Sequence, residues 1–196
     1  MNNNRPQKGS HVLVEPIKDR AAIKRIKTLL SQNLRDYCLF VFGINTAYRA
    51  NEILSIQVGQ VRYLNVGESL NIKMSKTGKY RRVTLNKKVI EAIQTLLDSG
   101  SFSDEEPLFR SQRGGMAIGV DTLSTYVKNW CQNAGLRGNF ASHTLRKTWG
   151  YWQRVVNKTP IPVLMEAFGH ASQKQTLSYL CIQEQEIQDV YMELAL

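Results

Sequence analysis

Residues 141–152, ASHTLRKTWGYW, and residues 163–179, VLMEAFGHASQKQTLSY, decide how this chain is organised. His143 and Arg146 lie three positions apart in a segment predicted to be helical, so their side chains share one face. Gly169 is expected to end the following helix, because glycine adopts the left-handed conformation at no steric cost. His170 comes directly after that turn.

A further helix is predicted to start just beyond His170. Ser172 and Gln175 have the S-x-x-Q spacing of a capping box, and the helix they begin carries Tyr179 two turns further on. The two stretches therefore predict a tyrosine hydroxyl near a cluster of nitrogen donors. The alternative is an ordinary half-buried tyrosine, for which Tyr151 and Tyr191 offer comparison within the chain.

A phosphate is the target that such a cluster suits. The planar fork of an arginine matches two phosphate oxygens, and negative charge grows on these oxygens during displacement. A tyrosine has an ordinary pKa of about 10, so deprotonating it at pH 7 costs roughly 4 kcal/mol. One unit charge at about 4 Å is worth roughly 1 kcal/mol in water and about 4 in a partly buried site. The site therefore needs more positive charge than Arg146 alone provides.

The composition indicates an anionic partner. Lys and Arg number 26 against 16 Asp and Glu, which gives a net charge of +10. Nucleic acid is the leading candidate, and a solvated basic surface without a partner is the alternative. No apolar run is long enough to span or anchor in a membrane.

The cysteines and the N-terminus point to a cytoplasmic protein. Cys38, Cys131 and Cys181 are odd in number, widely spaced and flanked by apolar residues, which favours reduced core thiols over a disulfide or zinc framework. The first ten residues, MNNNRPQKGS, lack the apolar segment of a signal peptide. No metal site is predicted.

The first half of the chain predicts an arm followed by two helices. Residues 1–18 are polar and basic and are expected to form a flexible arm. Asp19 is expected to cap an amphipathic helix, and Asn33 to start a second helix that runs to Arg49. That second helix is apolar nearly all round, so we expect it to be central and buried.

Arg49 and the segment after it supply further basic candidates. Glu52 is a local ion-pair partner for Arg49, and an ordinary ion pair at a helix end is the alternative to a functional arginine. Residues 69–86, SLNIKMSKTGKYRRVTLN, predict a β-hairpin turning at Thr77-Gly78. Lys76 lies at its tip, and the returning strand carries three more cations, Lys79, Arg81 and Arg82. A mobile lysine is a suitable general acid for a leaving oxygen, while a solvated turn is the alternative.

The remaining segments predict three more helices and a basic turn. Asn86 is expected to cap a helix through Leu97, and Asp121 to begin one through about Ala134. Arg110 and Arg113 belong to the turn RSQRGG, which lacks the residue order of a phosphate-binding loop. Residues 183–196 predict a C-terminal helix whose apolar stripe either packs on its own domain or docks on a neighbouring protomer.

These motifs, taken in order, resemble the catalytic domain of the tyrosine recombinases, the phage integrase family. The matching segments are TAYRANEIL, SKTGK with the following RR and TL, SHTLRKT, and FGH followed nine residues later by the tyrosine. The resemblance spans about residue 19 to the C-terminus and implies a mainly helical α+β catalytic domain, 19–182, with a small antiparallel hairpin.

The resemblance also implies a set of roles. Arg49 and Arg146 would clamp the scissile phosphate while Tyr179 attacks it, which leaves a 3′-phosphotyrosyl link and a free 5′-hydroxyl. Lys76 would protonate the leaving oxygen, His143 would be the acid-base partner of the nucleophile, and His170 would hydrogen-bond the phosphate. Neither metal nor ATP is implied.

Partners follow from the same resemblance. Double-stranded DNA is the expected substrate, bound by a homo-oligomer that is tetrameric in the synapse. The residues expected to contact DNA outside the catalytic set are Lys79, Arg81, Arg82, Arg110, Arg113 and Lys147.

Two features depart from the usual pattern. Ala47 stands where glycine is common in the first arginine motif, and only a short arm precedes the catalytic segment where most members carry a helical domain. Other classes remain open on residues alone: a type IB topoisomerase that relaxes DNA, a two-histidine nuclease, and a DNA-binding regulator without catalysis.

Overall fold

The structure is a computed structural model that describes residues 13–73, 78, 80–111, 115–180, 182 and 184–193. Within these ranges the elements are α1 (Arg20–Leu29), α2 (Leu34–Asn45), α3 (Ala50–Leu54), a 3-10 turn (Val58–Gln60), β1 (Ser69–Lys73), β2 (Tyr80–Thr84), α4 (Lys87–Asp98), α5 (Val120–Asn133), α6 (Ser142–Val155), α7 (Ile161–Phe168), α8 (Gln173–Leu180) and α9 (Glu184–Met192). The predicted class, mainly helical with one small antiparallel hairpin, is confirmed.

Side-chain caps define the starts of three helices, as the sequence predicts. Asp19, Asn33 and Asn86 each accept hydrogen bonds from backbone N–H groups in the first turn of α1, α2 and α4. Each cap is worth about 1 kcal/mol, because these N–H groups have no partner within the helix.

Helix α2 is the central element, also as predicted. It packs against α4 and α6, and its Phe40 and Phe42 are fully buried. Gly43 permits a close approach to α6, since a Cβ built at this position would lie 2.6 Å from Leu145 Cδ1. The close packing fixes α6 against the helix that leads to Arg49.

A second, smaller apolar cluster lies beside the main core. Its buried residues are Ala47, Leu164, Phe168 and Leu180, which come from the segment after α2 and from α7 and α8. Tyr179 packs against this cluster. The cluster therefore joins the Arg49 segment to the helices that carry His170 and Tyr179.

The prediction that one helix runs from Asn33 to Arg49 is wrong. Helix α2 ends at Asn45, Thr46 is extended, and Arg49 is the extended residue that precedes α3. The Asn45 and Thr46 side chains both donate to carbonyls one turn back, at Val41 and Phe42. Such local bonds help to end a helix, and the apolar residues beyond are buried for tertiary reasons.

The predicted flexible arm is wrong for residues 13–18. Ile17 is buried, its N–H donates to Thr148 Oγ1, and its carbonyl accepts from Trp152 Nε1. Glu15 N donates to the carbonyl of Asn139. These residues pack on α6 and the turn before it, while residues 1–12 lie outside the described residues.

The hairpin has the two predicted antiparallel strands. Ser69 pairs with Thr84, and Lys73 pairs with Tyr80. Gly78 in the connection has a φ of +68°, as the turn prediction requires. Residues 74–77 and 79 lie outside the described residues.

Among the described residues, no helix is long and apolar enough to cross a membrane.

Candidate active site

Tyr179 is half-buried on α8, and its hydroxyl lies 2.6 Å from His143 Nδ1. His143 is the second residue of α6 and is exposed. The residue as a whole is exposed, but partial desolvation of its ring, followed by the charges of Arg146, Lys147 and Arg49, lowers the pKa of His143. A neutral imidazole is favoured at pH 7, and its Nδ1 can accept the proton of the tyrosine.

Arg146 lies one turn beyond His143 and is only 2% exposed. Its Nη2 donates to the carbonyl of Phe168, 2.5 Å away, and its guanidinium carbon is 5.7 Å from the centre of the Tyr179 ring. Its buried Nη1 has no hydrogen-bond partner in the described part of the chain. Burial lowers the pKa of Arg146 to about 9, so the group stays charged at neutral pH.

Arg49 is held at the start of α3 by Glu52. The carboxylate accepts from Arg49 Nη1 at 3.0 Å and from Arg49 N at 2.7 Å. Glu52 is buried, whereas about a third of the Arg49 side chain is exposed. The local ion pair that the sequence predicts is present, and the charge of Arg49 is near enough to lower the pKa of Arg146 and of both histidines.

His170 occupies the turn between α7 and α8. Gly169 before it has φ 58° and ψ 47°, which is the left-handed helix end that the sequence predicts. His170 is 8% exposed, stacks on Phe168 at 4.9 Å, and places Nδ1 3.1 Å from Thr176 Oγ1. Burial and the charges of Arg146, Arg49 and Arg81 lower its pKa to about 4.

The start of α8 differs in one bond from the predicted capping box. Ser172 Oγ accepts from Gln175 N at 3.3 Å, as expected. The Gln175 side chain accepts in return from Ala171 N, not from Ser172 N. The helix still begins where predicted, so Tyr179 faces α6.

Lys147 has a different place from the one expected. The sequence predicts a DNA contact here, whereas Lys147 is buried, with Nζ 5.1 Å from the centre of the Tyr179 ring. Its charge also lowers the pKa of His143. Sequence reasoning missed this position because the tyrosine that Lys147 faces lies on another helix, 32 residues later.

Arg81, another residue predicted to contact DNA, faces the interior of the protein. It is 7% exposed, donates to the carbonyl of Ala47, and lies 3.8 Å from the Glu52 carboxylate. The inward position follows from strand alternation, since Arg81 faces the core while Arg82, next to it on β2, is exposed.

Arg110 is placed away from the other candidates. Its guanidinium pairs with Glu106 and lies over the Phe102 ring, and its carbonyl accepts from Arg35 in the first turn of α2. Arg49 follows the opposite end of that 12-residue helix, which is about 18 Å long. Lys76, Lys79 and Arg113 lie outside the described residues.

The described residues thus bring Arg49, His143, Arg146, His170 and Tyr179 to one place, with Lys147 added. Two histidines with lowered pKa values and three cations, Arg49, Arg146 and Lys147, are therefore grouped with the Tyr179 phenol. Among the residues that the structure describes, no group of three or more His, Cys, Asp or Glu could hold a metal ion. The arrangement can bind an anion and deprotonate the tyrosine beside it.

Comparisons with known proteins place this chain in one family. The sequence model of the Phage integrase family matches residues 18–186. A Bacillus subtilis (strain 168) protein named "Probable integrase/recombinase YoeC" is 32% identical over 182 residues, covering 91% of this chain and 96% of the relative. A "Tyrosine recombinase" of Pseudothermotoga lettingae is 27% identical and covers 88% of this chain and 58% of the relative.

Solved structures show the same fold. The crystal structure of XerA recombinase has a TM-score of 0.75 at 22% identity, covering 96% of this chain and 66% of that one. A lambda integrase dimer bound to a COC′ core site has a TM-score of 0.67 at 17% identity, covering 93% and 64%. The chain therefore spans slightly less than two thirds of these solved recombinase chains.

The fold and the sequence matches together define a tyrosine-type site-specific recombinase. The chain belongs to the phage integrase family, whose sequence model covers most of its length.

Proposed function

We propose that this protein cuts and rejoins double-stranded DNA at specific sites through a 3′-phosphotyrosyl intermediate on Tyr179. The observation that carries the proposal is the contact between the Tyr179 hydroxyl and His143 Nδ1 beside the buried Arg146 guanidinium. The DNA-bound recombinases among the structural neighbours support DNA as the substrate, as does the net charge of +10.

In the cleavage step, the Tyr179 oxygen attacks phosphorus and the bond from phosphorus to the 5′-oxygen breaks. The phenol proton passes to His143 Nδ1, and a proton from Lys76 passes to the leaving 5′-oxygen. A 5′-hydroxyl from a second duplex then attacks phosphorus, Tyr179 leaves, and the protons return. The covalent link conserves the energy of the bond, so no co-substrate enters the cycle.

Arg49 and Arg146 are proposed to bind the non-bridging phosphate oxygens. The free Nη1 of Arg146 supports this role, since a buried donor without an acceptor costs about 1–3 kcal/mol until an acceptor arrives. His170 would donate from Nε2, which requires that its Nδ1 accepts from Thr176. Lys147 adds positive charge next to the phenol.

The contacts to the DNA backbone are proposed for Arg82, which is exposed on β2, and for Lys79 and Arg113. Arg81 and Arg110 are left out of this set because both are engaged within the protein. We also propose that the protein acts in the cytoplasm, which the free, buried thiols of Cys38 and Cys131 support.

Residues 19–182 are proposed as the catalytic domain, with residues 13–18 packed on α6, and α9 as a segment that docks on a neighbouring protomer in a tetramer on DNA. Exposed apolar side chains at Ile187, Val190 and Tyr191 support this role. Strand exchange between duplexes needs more than one protomer, whereas relaxation of supercoils does not, so Holliday junctions would separate a recombinase from a topoisomerase.

Covalent capture of a nicked suicide DNA tests the proposal. The wild-type protein should form a covalent adduct, and Tyr179→Phe should form none while binding the DNA within about twofold, since only one hydroxyl is removed. Tyr151→Phe removes the hydroxyl of a tyrosine on α6, so it is the matched control and should react normally. An adduct that persists in Tyr179→Phe would place the nucleophile elsewhere.

A further inference from the structure

Tyr48 is the largest fully buried side chain of the described core, and it immediately precedes Arg49. Its hydroxyl donates to the carbonyl of Leu70 at 2.5 Å and lies 3.2 Å from the carbonyl of Arg81. Leu70 belongs to β1 and Arg81 to β2. One hydroxyl from the arginine segment therefore reaches both strands of the hairpin.

Arg81 makes the reverse connection. From β2 its Nη1 donates to the carbonyl of Ala47, and its Nε lies 3.8 Å from the Glu52 carboxylate that holds Arg49. Its Nη2 also lies close to Gly169, where a Cβ would be 2.6 Å away. Tyr48 and Arg81, which we call the clasp, thus tie the hairpin to the segment before α3 in both directions.

The hydroxyl of Tyr48 is not needed for packing. The ring stacks on Phe42 at 6.2 Å with an interplanar angle of 17°, an arrangement that phenylalanine would satisfy equally well. Burial and the Glu52 charge raise the pKa of Tyr48, so the hydroxyl remains a donor throughout the working pH range. Its function is the bond to the hairpin carbonyls.

We propose that Tyr48 is a positioning residue whose hydroxyl fixes the base of the β1–β2 hairpin relative to Arg49. The inference rests on the proposed function, in which the hairpin connection supplies Lys76 as general acid and Arg49 binds the phosphate. Loss of the hydroxyl would loosen the hairpin while leaving the bonds between Arg49 and Glu52 in place. The protonation of the leaving oxygen would then be slowed more than the binding of the phosphate is weakened.

A 5′-bridging phosphorothiolate DNA separates these two effects. A thiolate leaves readily without a proton, because thiols have a pKa of about 8.5, far below that of an alcohol. Tyr48→Phe should slow covalent capture of ordinary DNA about tenfold, and the sulfur substrate should restore it to within about threefold of wild type. Lys76→Ala should show the same selective rescue, and Arg146→Ala should be slow on both substrates.

Tyr126→Phe is the control, since it removes the hydroxyl of a tyrosine elsewhere in the fold, partly buried on α5. It should react like wild type on both substrates. Equal slowing of Tyr48→Phe on both substrates, or no slowing on ordinary DNA, would overturn the proposal.

Amide hydrogen exchange tests the clasp without catalysis. Tyr48→Phe should exchange faster in β1 and β2 than wild type, with α4 unchanged, and equal protection of the strands would overturn the proposal. If the wild-type protein forms no adduct at all, the proposed function fails while this measurement still decides the clasp. Arg81→Lys, which keeps the charge but removes the bond to Ala47, should show the same pattern if Tyr48→Phe does not fold.

Discussion

The guanidinium of Arg146 is buried with one nitrogen bonded and another unpartnered. Proteins seldom leave a buried donor unpartnered, so the atom indicates where an acceptor binds. The position beside the Tyr179 ring makes that acceptor an anion within reach of the phenol.

Two substitutions of Arg146 should distinguish the contribution of its positive charge from that of its planar guanidinium group. Arg146→Ala should reduce cleavage by several orders of magnitude, and Arg146→Lys should recover only part of the loss, because lysine lacks the fork that bonds two oxygens. Single-turnover cleavage rates measure both. Arg137→Ala, an exposed arginine with the same charge change, should cleave normally, and a loss below about tenfold, or 1.4 kcal/mol, in Arg146→Ala would contradict the phosphate clamp.

The lowered pKa of His170 predicts that the stability of the protein depends on pH. Its folded pKa of about 4 lies below the unfolded value near 6.5, so the unfolded state binds more protons between these values. Stability should therefore fall as the pH drops from about 6.5 to 4, by up to about 3 kcal/mol from this residue. Denaturant unfolding of the DNA-free protein should show a shallower fall for His170→Gln, and an unchanged pH dependence would contradict the burial of a neutral ring.

At the scale of elements, Gly169 connects α7 to the site. Its φ is +58°, a backbone conformation that alanine rarely adopts. A Cβ at this position would also clash with Arg81 Nη2. Gly169→Ala should cost about 1–2 kcal/mol of folding free energy and slow cleavage, because His170 follows directly. Gly119→Ala is the control, since Gly119 has an ordinary φ and a Cβ there would meet only Thr122 Oγ1, at 4.0 Å. Equal stability of the two variants would count against the close approach of Arg81.

The starts of α1, α2 and α4 could be predicted from sequence, but the end of α2 could not. Caps at Asp19, Asn33 and Asn86 are local signals, as is the glycine at residue 169. No proline or glycine marks the break after Asn45, and the apolar pattern continues through Ala47 and Tyr48. Those two residues are buried because they contact α7, α8 and the hairpin, which one-dimensional periodicity does not reveal.

At the scale of the whole molecule, five of the six predicted catalytic side chains lie among the described residues and come together, and their roles remain predictions. The burial of Arg81 and Lys147 could not be predicted from the sequence, because a basic residue in a basic segment is ordinarily exposed. Their burial follows from strand alternation in one case and from a distant tyrosine in the other.

The exposed apolar side chains of α9 predict a contact between protomers bound to DNA. Replacing Ile187, Val190 and Tyr191 together by serine should abolish cooperative binding to DNA with two sites, because these apolar side chains are exposed in the single chain. Stability of the isolated protein should change by no more than about 1.5 kcal/mol, since a surface substitution usually changes it by at most about 0.5 kcal/mol. Band shifts on one-site and two-site DNA measure the effect. Serine at the exposed Tyr63 and Val66 is the control, and retained cooperativity in the α9 variant would exclude the helix from the interface.

Peptide mapping of the covalent adduct tests the central claim most directly. After capture of suicide DNA and digestion with protease and nuclease, mass spectrometry should find the residual nucleotide, attached through its 3′-phosphate, on the peptide that contains Tyr179. A nucleotide on any other residue, or attached through a 5′-phosphate, would contradict the account.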